Sequence, residues 1–431
     1  MSRSLAPLRD VAFRRLIAGQ LTSGIGDAFY MVALPWYVLA AHGGPLLLGT
    51  VLAVYGTSRT AVLAVGGHAS DRLRPWTVML GADLVRAVAL VAFAVVAATA
   101  RPSLALLAPI AVVLGVGAGL FIPASSSIVP TLLPDEQLQA GTALSASGTQ
   151  FSGLLGPAVG GPVVALLGSS VAFSVDAVTF VVSVLSLIGV RRALRARAIA
   201  AAAAGNAEAA PDPTAGGFLS LLREQPVLIT LFFTLIVANL VLGGLFEVGL
   251  AALVHGPLNA GAGGYGALVA VTSAGALAGT LFAARLDALR RPAVVASIIY
   301  LVSAAVCAFV PYLGGAIGAG ALLCTFGAAL GAGNVITDTM LVRWAPKHVL
   351  GRVMGFLSLG SFGIYPVSAI LAGLVVHSVG AAVLFPLSGA TLALAVLGAL
   401  TRRSWREFGV REPGGGGAGK VVRAEVEERT A

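Results

Sequence analysis

The sequence predicts an all-α integral membrane protein with twelve transmembrane helices in two pseudo-symmetric six-helix halves. Three observations carry this. Of 431 residues, 58% are hydrophobic and 10% are charged, against about 25% charged in a typical soluble domain. The apolar residues form twelve runs, each near the ~20 residues a helix needs to cross the hydrocarbon core. Basic residues gather at every second junction between runs.

The first run covers about 13–40 and begins at Arg14 and Arg15. It is longer than the ~7–15-residue core of a signal peptide and contains Asp27, so it reads as a retained helix. The next runs cover about 46–69, 76–100, 103–122, 141–167 and 169–190. The second ends on a charged loop at Asp71 and Arg72, the third carries Asp83 and Arg86, and the fifth contains Gly156-Pro157. A second set covers about 227–254, 264–285, 293–312, 315–342, 353–378 and 381–401.

The chain therefore divides into an N-terminal six-helix half, 1–190, a linker, 191–226, a C-terminal six-helix half, 227–401, and a tail, 402–431. The linker opens with Arg191, Arg192, Arg195 and Arg197 and continues Ala-rich through Pro211 and Pro213. The tail is charged, with a Gly414–Gly417 run, and is expected to be disordered.

Direction follows from charge. With the N-terminus inside, the inner segments hold 24 of the 27 basic residues, and the outer loops hold Arg101 alone. Arg59 and Arg86 lie within spans. This asymmetry predicts that both termini are cytoplasmic. It also accounts for the net charge of +9 without a nucleic-acid partner, because the arginines form a girdle rather than one patch. Cys307 and Cys324 both lie in apolar spans, with no disulfide framework or metal-ligand spacing. No metal and no cofactor is expected.

The halves show a weak internal repeat. At an offset of 212, Pro134 aligns with Pro346, Leu138 with Leu350, Gly161 with Gly373 and Asp27 with Asn239. Paired halves are the architecture that rocking-type alternating access requires.

Several segments resemble a known family. Gly66-Gly67-His68-Ala69-Ser70-Asp71-Arg72-Leu73-Arg74 is similar to the loop signature after the second helix of the major facilitator superfamily. Here Arg74 replaces the usual glycine and Pro75 follows it. Asp83-Leu84-Val85-Arg86, Val129-Pro130-Thr131-Leu132-Leu133-Pro134, Gly156-Pro157-Ala158-Val159-Gly160-Gly161, Val175-Asp176-Ala177 and Gly351-Arg352-Val353 resemble the branch of enterobactin exporters, Tap-type multidrug pumps and macrolide efflux proteins. The resemblance spans 10–401 and implies the major facilitator fold. It implies that Gly67, Asp71, Arg72 and Arg74 form a gating loop, against the alternative of a topology determinant. It also implies that Gly156, Pro157, Gly160 and Gly161 form an antiporter-like motif, although plain tight helix packing explains them equally well.

A carboxylate inside a span is expensive and defaults to a functional hypothesis. Asp27, Asp83, Asp176, Glu247 and Asp338 qualify. Asp27 lies ~20 Å from the inner end of its helix at 1.5 Å per residue, near mid-depth like Arg59. Asp27 and Arg59 are the expected central pair, being on neighbouring spans. Asp83 and Arg86, three apart, are expected to pair locally as a structural feature. Asp27, Arg59, Asn239, Glu247, Asp176 and Asp338 are the candidate proton-coupling and cavity residues.

These readings lead to secondary active transport, expected as proton-coupled efflux of a small organic molecule such as a drug, antibiotic or siderophore. The expected location is a bacterial plasma membrane, and the expected partners are protons, substrate and lipid. One chain holds both halves, so a monomer suffices. Proton- or sodium-coupled uptake of a small metabolite is the alternative, because direction depends on coupling. A membrane enzyme or scaffold is remote: no Ser/His pairing or metal cluster is evident, and the phosphate loop of an ATP-driven pump is absent.

Overall fold

A computed structural model describes residues 3–72, 74–203, 226–285, 289–344 and 347–408. These residues hold twelve long helices and no strand. After a 3-10 helix at Arg3–Arg9 come α1 (Val11–Ala40), α2 (Gly44–Arg72), α3 (Pro75–Thr99), α4 (Leu104–Leu132), α5 (Asp135–Leu167) and α6 (Ser169–Ala203). Helix α7 runs Pro226–Gly244, passes through a π-helical turn at Leu245–Leu250 and ends as Ala251–His255. Then follow α8 (Gly261–Ala283), α9 (Pro292–Phe309), α10 (Gly315–Trp344), α11 (Lys347–Val379) and α12 (Ala381–Thr401).

Eleven of these helices, α2 to α12, are long and apolar enough to cross a membrane. Helix α1 has the length, at 30 residues. Its apolar character is diluted by Arg14, Arg15, Gln20 and Asp27. Arg14 and Arg15 are exposed near its start, and the helix packs along α5 and α6 with residues buried around most of its circumference. Its start is fixed by Asp10, whose side chain accepts from the Ala12 and Phe13 amides at 2.9 Å each, a carboxylate cap on orphan N–H groups. Pro75 and Pro292 open α3 and α9 at positions where the missing N–H costs nothing.

By contacts the chain forms two compact units. The first comprises Met1–Thr214, Gly243–Ala270 and Tyr365–Ala382. The second comprises Ala215–Leu242, Val271–Ile364 and Val383–Ala431. The first unit thus takes α1 to α6 together with the later part of α7, the start of α8 and the end of α11.

Within the first unit, α2 packs along α4, and α3 along α4 and α6. Phe13, Leu16, Met79, Ile128 and Val190 make one apolar core. Tyr30, Phe93 and Phe173 make an aromatic one, with the two phenyl rings stacked at 5.2 Å. Two glycine crossings bring helices to backbone contact. A Cβ at Gly161 of α5 would meet the Gly266 Cα of α8 at 2.8 Å, and one at Gly373 of α11 would meet the Gly49 Cα of α2 at 3.3 Å. Gly161 and Gly373 are the aligned pair of the sequence repeat, and each faces the second helix of the other half. Only glycine permits that approach.

In the second unit, α9 packs along α10. The tail differs from expectation over its first residues. Arg403–Arg406 is helical, because Trp405 is 4% exposed and its indole N–H donates to Ser297 Oγ at 3.0 Å. A buried Trp with a satisfied donor anchors the segment. The linker also differs: its first residues, to Ala203, continue α6. Residues 204–225 and 409–431 lie outside the described residues.

Candidate functional site

Deep within the helices of the first unit, charged side chains form two centres. One is built on Arg86 of α3. Its Nη2 donates to Asp27 Oδ1 of α1, and its Nη1 lies 3.8 Å from Asp83 Oδ1, one turn back on α3. The guanidinium also lies over the Phe180 ring at 4.1 Å and near the Phe121 ring at 5.8 Å. Such faces stabilise a desolvated cation by up to ~2 kcal/mol. Side-chain exposure is 7% for Arg86, 0% for Asp83 and 44% for Asp27. Asp27 is therefore the accessible member of the three.

Asp83 is held from α6, where Ser183 Oγ donates to its Oδ2 at 2.6 Å. Asp176, also on α6, is fully buried. It accepts from Thr179 Oγ1 at 3.4 Å, and its Oδ2 is buried with no hydrogen-bond partner among the described residues. Gly26, beside Asp27, makes room for this arrangement: a Cβ there would strike both Thr179 Oγ1 and Asp176 Oδ1. Two carboxyl groups thus flank one guanidinium, and Asp176 lies against the residue next to Asp27.

The second centre is built on Glu247, inside the π-helical turn of α7. The Tyr365 hydroxyl of α11 donates to Glu247 Oε2. Arg59 of α2 lies 5.3 Å from the centroids of both the Tyr55 and Tyr365 rings. The backbone N–H of Gly244, at the edge of the turn, donates to Ser368 Oγ of α11 at 2.7 Å. A π-turn breaks the regular backbone ladder and is frequent at functional sites; here Ser368 accepts a donor beside it. Tyr30 of α1 lies beside Tyr55 of α2, ring centroids 6.1 Å apart, and Tyr55 in turn lies beside Arg59.

One expectation is corrected. Asp27 pairs with Arg86, not Arg59. The reason is packing: α1 lies along α5 and α6, while α2 lies along α4, so adjacency in sequence does not bring Asp27 and Arg59 together. Arg59 turns instead to the Tyr55 and Tyr365 rings near Glu247. The local Asp83–Arg86 approach is present, and it belongs to the same cluster as Asp27.

The remaining candidates lie elsewhere. Asn239 belongs to the second unit, where its Nδ2 donates to Leu235 O at 2.9 Å and Ser361 Oγ at 3.4 Å. Asp338 is exposed; one turn before it, Asn334 Oδ1 accepts from the Tyr300 hydroxyl at 2.9 Å. Gly156 and Gly160 pack against Ala28 and Phe29 of α1, and Gly161 against Gly266 of α8. Pro157 is buried in α5. In the loop signature, Arg74 is exposed and precedes α3 as its N-cap residue. The side chains of Gly67, Asp71 and Arg72 lie outside the described residues.

Buried charges held between long apolar helices are costly and mark a functional site. Residues 16–256 match the profile of the Major Facilitator Superfamily. The chain belongs to this superfamily. As a member it is a multi-span membrane transporter. It is similar to the multidrug efflux pump Tap of Mycolicibacterium fortuitum, at 28% identity over 386 residues, covering 85% of this chain and 89% of that protein. Among solved structures it is similar to a POT family transporter in complex with a thioalcohol-conjugated peptide (TM-score 0.69, 13% identity, 90% of this chain and 95% of that one). It is also similar to a mutant of the nucleoside transporter NupG (TM-score 0.66, 13% identity, 90% and 99%). A third likeness is to a bacterial homologue of the lysosomal transporter Spinster, inward-facing and unoccupied (TM-score 0.61, 14% identity, 95% and 99%). At these identities the solved structures speak for the fold.

Proposed function

We propose that this superfamily member is a proton-coupled exporter of a small organic molecule, acting by alternating access from a bacterial plasma membrane. The observation that carries the reading is the Asp27–Arg86 pair: a partly exposed carboxylate bonded to an enclosed guanidinium at mid-helix. A proton and the guanidinium compete for the same carboxylate, so uptake of one releases the other. A proton moving inwards gains ~2.3 kcal/mol per 100 mV of membrane potential, which can drive substrate outwards. Similarity to the Tap efflux pump supports the outward direction. Drugs, antibiotics and siderophores are the substrate classes to test.

Both termini are placed in the cytoplasm on the arginine asymmetry. In that orientation the Gly161–Gly266 and Gly49–Gly373 crossings lie at the outer ends of their helices. Two six-helix halves, 1–190 and 227–401, are the proposed moving parts, with Asp71 and Arg72 in the gating loop. Asn239 and Asp338 are assigned to the cavity wall of the second half.

The test is a susceptibility panel on deletion and overexpression strains, followed by accumulation of each responding compound with and without an uncoupler. An exporter retains less compound when energised. Greater retention in energised cells would instead make the protein an uptake carrier.

A further inference from the structure

Asp83 is fully enclosed, at 0% exposure like Asp176, and direct binding of cargo gives it no role. Its two oxygens differ. Oδ2 accepts from Ser183 at 2.6 Å. Among the described residues Oδ1 is buried without a hydrogen-bond partner, and it is this oxygen that faces Arg86 Nη1 across 3.8 Å. Closing that gap to an ordinary charge-assisted hydrogen bond of ~2.8 Å needs a shift of ~1 Å. Arg86 has little room for any larger move. Its head lies over the Phe180 ring, and its stem runs so close to Gly117 of α4 that even a Cβ there would come within 2.5 Å of Cγ.

A guanidinium confined in this way is bonded to one carboxylate and stands beside another. Were Asp27 simply neutralised, Arg86 would be left as a buried, unpaired charge, and that penalty would oppose proton uptake. A second anion within reach removes the penalty.

We infer that Asp83 is a positioning residue, the second seat of the Arg86 guanidinium, to which Arg86 moves when Asp27 takes up a proton. The move exchanges a bond between α1 and α3 for one within α3, so protonation at Asp27 unlinks the two helices. Ser183 holds the waiting carboxylate in place from α6. This rests on the reading of Asp27 as the proton-exchanging group. The groups around Asp27 are Arg86, bonded to it, and Asp83, both from α3, Asp176 from α6, which lies against the adjacent Gly26, and Tyr30 on its own helix with Tyr55 of α2 beside it. Glu247 from α7 reaches Tyr30 and Tyr55, and Arg59 reaches Tyr55.

The experiment uses the full-length protein in detergent and dicyclohexylcarbodiimide, which modifies protonated carboxyls in apolar surroundings. The rate of modification at Asp27 is read by peptide mass spectrometry at pH 7, beside a thermal melt of each variant. Asp83→Asn is expected to slow modification by about tenfold, the equivalent of one pH unit, while Asp83→Glu retains the wild-type rate. Simple loss of a nearby negative charge would also slow it, so two controls separate the mechanisms. Asp176→Asn removes a neighbouring carboxylate that makes no bond to Arg86, and it is expected to have a much smaller effect than Asp83→Asn. In an Arg86→Gln background, Asp83→Asn is expected to keep only the small effect of its charge, comparable to that of Asp176→Asn. Equal slowing by Asp83→Asn and Asp176→Asn, or an unchanged rate in a folded Asp83→Asn protein, overturns the second seat and leaves Asp27 as the exchange site. Absence of modification at Asp27 in the wild type overturns both.

Discussion

Arg86 bonds to Asp27 on a neighbouring helix through one nitrogen and faces Asp83 on its own helix through the other. The three residues share one positive charge between two carboxylates, so removing different members has unequal consequences. Asp27→Asn leaves Arg86 with Asp83 in reach. Arg86→Gln leaves two carboxylates with no cation between them. Breaking a buried pair by removing one partner costs ~3–5 kcal/mol. Arg86→Gln should approach that loss and Asp27→Asn should fall well below it, because Asp27 is 44% exposed. Denaturant unfolding in detergent micelles checks the ranking, and equal losses would contradict it.

Tyr365 donates to Glu247 while its ring lies near Arg59. Tyr365→Phe keeps the ring and deletes the donor. A hydrogen bond to a charged group contributes ~1.5–3 kcal/mol. Initial transport rates should therefore fall at least about tenfold with little change in expression, and Glu247→Gln should fall further. Rates in membrane vesicles normalised to protein amount provide the check.

The glycine crossings are expected to hold one end of the first unit closed. Gly161→Leu places a side chain where the backbone of α8 now lies. It should lower the unfolding midpoint of the protein in a detergent melt, because the two backbones must separate to admit it. Gly153→Leu, on the same helix with open space at its Cβ, should not.

Orientation is tested separately. Arg101→Cys, between α3 and α4, should react with the maleimide in intact cells. Arg192→Cys, in the inner part of α6, should react only after the membrane is opened. The reverse pattern would invert the topology.

The helices were legible because long apolar runs and the arginine bias follow directly from the solvent. The pairing inside was not. A helix such as α1, which buries residues around most of its circumference, gives little sign of its rotational phase; sequence neighbours point Asp27 to Arg59 on the next helix, whereas α1 packs along α5 and α6 and Asp27 meets Arg86. Asp83 and Arg86 were legible as a local pair because their spacing is a helical turn. Glu247 and Tyr365 lie 118 residues apart, and the π-turn that carries Glu247 has no marker in the sequence. Trp405 was an isolated aromatic in a polar tail, and only its partner Ser297 explains why the chain stays folded there.

Coupling at Asp27 is tested most directly in inverted membrane vesicles energised by respiration. A compound from the susceptibility panel is added, and its uptake is followed together with the proton gradient, read by a pH-sensitive dye. The wild type should accumulate the compound and dissipate part of the gradient, and Asp27→Asn, present in the membrane at equal amount, should do neither. Undiminished accumulation and proton movement by Asp27→Asn would contradict the role assigned to Asp27 and its bond to Arg86.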